Sequence, residues 1–166
     1  MNGIGLPTGR LYFSANKSTM RKIILFLALA LTAVATTANA QTDTITKKKW
    51  HWGGGTADTA AGYAQAVLVD NVLYVSGVPG RGTMAQQLKG AYSGIERTLK
   101  AYGLNFQHVV KENLYALDIE AVKANNEVRK AFYKGDYPAA TWVQISRLYM
   151  PEALVEVEVI AHLPRK

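Results

Sequence analysis

From residue 60 onward the apolar positions change their period several times, and each change marks an element. Residues 65–69 and 72–76 are apolar and β-prone, and Asp70-Asn71 between them has the chemistry of a tight hairpin turn, so they predict two paired strands. Met84, Leu88, Ala91, Ile95, Leu99 and Tyr102 then recur at steps of three and four, laying one apolar stripe along a helix that ends before Gly103. Thr83 with Gln86 supplies the capping box at its start. Residues 109–117 return to β-prone types. Asp118 is placed to cap a second helix running to about Lys134, ahead of Gly135, with Ala121, Ala124, Val128, Ala131 and Phe132 as its buried stripe. Residues 139–147 and 154–161 predict two closing strands joined by a turn around Pro151.

The order is therefore two strands, helix, strand, helix, two strands. Two helices with one apolar stripe each must bury them against a common sheet, which predicts an α+β domain of two layers. The far face of that sheet then meets water or another subunit. In the last strand Val155, Val157 and Val159 point one way while Glu156, Glu158 and Ile160 point the other.

Upstream of residue 60 the pattern is different. Met20-Arg21-Lys22 is a short cationic start, residues 23–34 are mostly apolar, and Ala38-Asn39-Ala40 has the small-x-small form of a signal-peptidase site. A membrane-spanning helix needs about 20 apolar residues, and this run is shorter. Residues 1–40 are thus expected to be an upstream extension plus a signal peptide cleaved after Ala40. Residues 1–19 lack that pattern and are expected to precede the true start at Met20. The protein is then secreted or periplasmic and has no membrane contact after cleavage. Residues 41–59, polar, basic and then glycine-rich in KKKWHWGGG, are expected to form a flexible arm, and residues 60–166 the domain.

Export changes the charge balance. The whole chain carries 19 basic and 12 acidic residues, a net charge of +7; removing residues 1–40 takes Arg10, Lys17, Arg21 and Lys22 and no acid, which leaves +3. Five of the remaining positive charges, Lys47, Lys48, Lys49, Arg165 and Lys166, are terminal, so the body is close to neutral and no nucleic-acid partner is expected. The absence of cysteine excludes thiol nucleophiles, thiolate metal sites and disulfides. His51, His108 and His162 are far apart in sequence and match no metal-ligand spacing.

Five short segments resemble, in order, the motifs of the Rid family (reactive intermediate deaminases, the RidA/YjgF group). They are AGYAQAV around Tyr63, LYVSGVPG around Ser76, NNEVRKAFY around Asn126, YPAAT around Ala140 and LVEVEVIA around Glu156. The resemblance spans residues 60–161. It implies a chorismate-mutase-like fold, a mixed sheet with two helices on one face, assembled as a homotrimer with three clefts between subunits. It also implies hydrolysis of small enamines or imines to a keto acid and ammonia, with no cofactor and a small-molecule ligand.

Carried over by motif, the resemblance implies Glu156 as the catalytic, water-positioning residue and Tyr63, Ser76 and Asn126 as substrate-binding residues. The family's carboxylate-gripping arginine falls at Ala140, and a small residue two places on is replaced by Trp142. Those two share a strand face, so the cleft is expected to lose a guanidinium, gain an indole and favour a flatter, less anionic ligand. Arg81, in a glycine-flanked loop, is the candidate replacement, against the plainer reading of a solvated loop arginine; Arg147 has the wrong parity. The residues also admit plainer roles: Tyr63 as a core or interface aromatic, Ser76 as a turn residue, Asn126 as a helix-surface amide, and Glu156 as half of an interface ion pair. Ser76 has no G-x-S-x-G elbow and no evident histidine partner, which excludes a serine-hydrolase role. The competing reading is a non-catalytic ligand-binding or interaction protein on the same trimeric fold.

Overall fold

The structure, a computed structural model, describes residues 16–18, 20–22 and 44–164, and it divides the chain into two units, Met1–Thr44 and Ile45–Lys166. Of the first unit, the described residues 17, 18 and 20–22 are helical and exposed. The apolar run and cleavage site of the expected signal peptide lie outside the described residues. Among the described residues no helix is long and apolar enough to cross a membrane.

The second unit is a six-stranded sheet with helices on one face. Its strands are β1 (Lys48–Trp50), β2 (Ala66–Val69), β3 (Val72–Pro79), β4 (Val109–Ala116), β5 (Ala139–Gln144) and β6 (Val155–His162), in spatial order β1-β2-β3-β6-β4-β5. All neighbours are antiparallel except β4 and β5, so the sheet is mixed. The helices are α1 (Thr56–Ala60), α2 (Met84–Ala101), α3 (Ile119–Ala124) and α4 (Asn126–Tyr133).

α2 matches its sequence pattern closely. Thr83 accepts from the Gln86 backbone while the Gln86 side chain accepts from the Thr83 backbone, closing the capping box, and Met84, Leu88, Ala91, Ile95 and Leu99 are buried. They pack on Leu73, Leu114, Val155 and Val157, which are wholly shielded from solvent. Fully burying one such side chain is worth about 1.5–3 kcal/mol, so this layer holds most of the fold's driving force.

Three details differ from the sequence pattern. The helix expected from Asp118 to Lys134 breaks at Asn125, whose φ of −109° and ψ of 14° leave the helical region, so α3 and α4 are separate segments. The break rotates the buried face. Val122, Arg129 and Tyr133 are buried, with Ala121, Val128 and Phe132 packed partly against the core, whereas Ala124 and Ala131 are exposed. β5 ends at Gln144, which leaves Arg147 in the following loop rather than on a strand. Within the segment expected as a mobile arm, Lys48–Trp50 pairs antiparallel with β2, and Trp52 donates its indole N–H to Thr98 Oγ1 at 3.1 Å while the Arg97 guanidinium stacks on its ring at 4.2 Å.

Candidate functional site

Two polar clusters occupy opposite faces of the sheet. The first lies on the face away from α2 and α4, beside α1, whose Ala57 lines the same pocket. Between the pairs Val75↔Val159 and Val78↔Val157, Ser76 and Gly77 together stand opposite Glu158, a β-bulge in β3. The bulge brings these two residues to a pocket of about 560 Å³ that they line together with Tyr63, Pro79, Tyr149 and Glu156. The Glu156 carboxylate lies directly over Gly77, where any Cβ would overlap Oε1, so glycine is what lets the carboxylate sit there.

The acceptors of this pocket have committed protons. Ser76 Oγ donates to the Ala64 carbonyl at 2.7 Å, and the Tyr63 hydroxyl donates to Asp58 Oδ1 at 3.1 Å. Asp58 is buried in turn, and its other oxygen lies 3.1 Å from His51 Nδ1. Tyr63 and Ser76 therefore offer lone pairs, not protons, to a ligand. Burial raises the Tyr63 pKa first, and the Asp58 carboxylate raises it further, so the phenol stays neutral.

Glu156 is half-buried and accepts no side-chain hydrogen bond among the described residues. Its pKa is raised above the ordinary carboxylate value, mainly by desolvation and then by the neighbouring charge of Glu158. Glu158 is better provided: Asn113 Nδ2 and the Tyr115 hydroxyl donate to it at 2.8 and 3.1 Å. A carboxylate with free lone pairs and a raised pKa is equipped to take a proton from water.

The second cluster lies on the helix-covered face. Glu112, on β4, is completely buried, and its carboxylate accepts from the Tyr92 hydroxyl (3.0 Å), the Tyr133 hydroxyl (2.7 Å), Arg129 Nε (2.9 and 3.2 Å) and Trp142 Nε1 (2.9 Å). The Arg129 guanidinium stands against the rings of Tyr133, Trp142 and Tyr137, at 4.7, 5.1 and 5.5 Å from their centroids. Ala140 is the strand neighbour of Glu112 and Trp142 that of Leu114, which places both on this face. Asn126 opens α4 one turn before Arg129, and its buried amide oxygen has no partner among the described residues.

The residues singled out from the sequence thus separate into two groups. Tyr63, Ser76 and Glu156 meet in one pocket; Ala140 and Trp142 lie on the other face, on β5 at the sheet edge, and Asn126 opens α4, the helix that carries Arg129. Arg81 joins neither. Its side chain is 78% exposed and lies 3.6 Å from Glu152. Sequence reasoning missed Asp58, His51, Glu112 and Arg129. The last two had a signal: Glu112 alternates in phase with the buried Leu114 and Ala116, and Arg129 falls a turn before Tyr133 on the same helix face.

Residues 55–163 match the family profile described as Endoribonuclease L-PSP. Among curated proteins, the chain is similar to a human 2-iminobutanoate/2-iminopropanoate deaminase, 34% identical over 109 residues that cover 60% of this chain and 78% of the relative. A Drosophila melanogaster RutC family protein, UK114, is 36% identical over 63% of this chain and 82% of its own length. Among solved structures, a YjgF/YER057c/UK114 family member from Mycobacterium tuberculosis superposes with a TM-score of 0.65 at 28% identity, covering 71% of this chain and all of that one. A YjgF family protein from Neisseria meningitidis gives 0.63 at 26% identity, covering 74% and 98%. With the motifs in order, the fold matched and the profile spanning most of the second unit, the chain belongs to the Endoribonuclease L-PSP family, the Rid/YjgF group.

Proposed function

We propose that this protein is a cofactor-independent hydrolase of small imines and enamines, acting in clefts between the subunits of a homotrimer. The observation that carries the reading is Glu156: a half-buried carboxylate with a raised pKa and free lone pairs, held over Gly77 beside Tyr63 and Ser76. The names of the relatives, 2-iminobutanoate/2-iminopropanoate deaminases, supply the substrate class.

In this reading Glu156 accepts a proton from water as the oxygen adds to the imine carbon. The resulting carbinolamine then collapses as the proton passes to the departing nitrogen, giving a ketone and ammonia. The proton borrowed by Glu156 is returned, so no redox partner or metal is required by the balance. Tyr63 and Ser76, whose own protons are engaged, accept from the N–H groups of a protonated imine. The two clusters lie on opposite faces of one sheet, so a cleft between copies is the arrangement that lets Glu156 of one meet Ala140 and Trp142 of the next.

The specificity is altered relative to the family pattern. At Ala140 a methyl stands where the motif has a guanidinium, and Trp142 adds an indole wall, so the cleft takes a flatter ligand. Residues 20–40, read as an export signal, support a periplasmic or secreted setting for this chemistry. A near-neutral body disfavours ribonuclease activity. One observation favours a non-catalytic binding role instead: the Trp142 N–H is already spent on Glu112, as in a site closed by packing. Ammonia release from 2-iminopropanoate generated in situ separates the two. Acceleration over the spontaneous rate is expected, and a rate equal to the spontaneous one would leave only the binding role.

A further inference from the structure

We infer that Arg129 is the anion-recognition residue of the second cluster, presenting its terminal guanidinium nitrogens to the carboxylate of the ligand; the inference rests on the imine-hydrolase reading for the ligand's class. A guanidinium carries five N–H donors. Only Nε is used, with both of its contacts going to Glu112, and neither Nη has a hydrogen-bond partner among the described residues. Glu112 does not need them, since two phenols and an indole also donate to its carboxylate. The residue is only 6% exposed, yet its Nη atoms are not among the buried polar atoms that lack a partner, so what Arg129 shows at the surface includes this donor fork.

The fork is also fixed in place. Tyr133, Trp142 and Tyr137 surround the guanidinium, and Glu112 tethers it at Nε, so its orientation is set before any ligand arrives. Access comes from the β5 side. Glu112 pairs with Ala140 across β4 and β5, Ala140 is exposed and contributes only a methyl, and Tyr137, whose ring lies 5.5 Å from the guanidinium, is half exposed. The acceptor that fits two parallel N–H groups is planar with two oxygens, a carboxylate. Because Glu112 balances the charge of Arg129, recognition depends on the paired hydrogen bonds more than on net charge.

The test is binding, not turnover. The full-length assembly is titrated by calorimetry with 2-oxopropanoate, the carboxylate product of 2-iminopropanoate hydrolysis, and with its methyl ester. Replacing Arg129 alone strands a buried Glu112, so the variant is the pair Glu112→Gln with Arg129→Gln, which removes both charges. Affinity for 2-oxopropanoate is expected to fall about tenfold or more, the scale of one charge-assisted hydrogen bond, with the ester little affected. Equal 2-oxopropanoate affinity in the pair variant and the parent overturns the inference. Should the pair variant fail to fold, the Arg129 guanidinium resonances of the parent are followed by NMR as 2-oxopropanoate is added: a saturable shift supports the assignment and none overturns it. If the hydrolase reading fails, ammonia release is absent while this binding persists.

Discussion

Glu112 and Glu156 are the same side chain in two environments. Glu112 is wholly buried and surrounded by donors from Tyr92, Arg129, Tyr133 and Trp142; Glu156 is half-buried and has none among the described residues. The difference lies in where the neighbours come from. Glu112 sits between sheet and helices, where α2 and α4 bring phenols and a guanidinium to it. Glu156 sits on the opposite face, away from α2 and α4, over a glycine bulge. Burial of a carboxylate therefore does not mark a base; unclaimed lone pairs beside a pocket do.

The sharpest way to break the comparison is to strand the buried carboxylate. Arg129→Leu leaves Glu112 without its counter-ion and is expected to cost about 3–5 kcal/mol in chemical denaturation, whereas Glu156→Gln, at a site with no such partner, is expected to leave stability within about 0.5 kcal/mol. Next in size is Tyr133→Phe, which deletes the 2.7 Å donor to Glu112 and should cost about 1.5–3 kcal/mol. Gly77→Ala acts on the other carboxylate. A methyl there displaces Glu156 while the fold persists, so activity is expected to fall about ten- to a hundredfold with stability nearly unchanged.

The smallest effect is on pH dependence. With Glu156 acting as a base, the rate is lost as pH falls through its pKa, and since that pKa is raised the loss begins above the ordinary carboxylate range. Desolvation is the main cause and Glu158 the second, so Glu158→Gln should move the acid limb to lower pH without removing it. A pH–rate profile of the two proteins checks both the direction and its origin. An acid limb at the same pH in both would assign the whole shift to desolvation.

The layer order and the helix–sheet core were legible in the sequence because apolar residues at α2, β3 and β6 keep a clean period. The alternation of Val155, Val157 and Val159 with Glu156 and Glu158 gave the faces of the last strand, and with them the side on which Glu156 emerges. What the pattern hid were charged residues that turn inward. Glu112 and Arg129 were passed over because each alone favours water; only their pairing, with the phenols, makes burial tolerable. The break at Asn125 was hidden for a related reason. No glycine or proline marks it, and Glu112, accepting from Arg129 and Tyr133, fixes the new phase of α4 from outside the helix. β1 was obscured by its two lysines and the glycines that follow, since the pairing that makes it a strand comes from β2.

The role of Glu156 is tested most directly by ammonia release from 2-iminopropanoate generated in situ, comparing the parent protein with Glu156→Gln at the same state of assembly. The parent is expected to exceed the spontaneous rate, and the variant to lose about a hundredfold or more of that enzymatic increment. A variant that keeps the parent's rate would contradict the role assigned to Glu156.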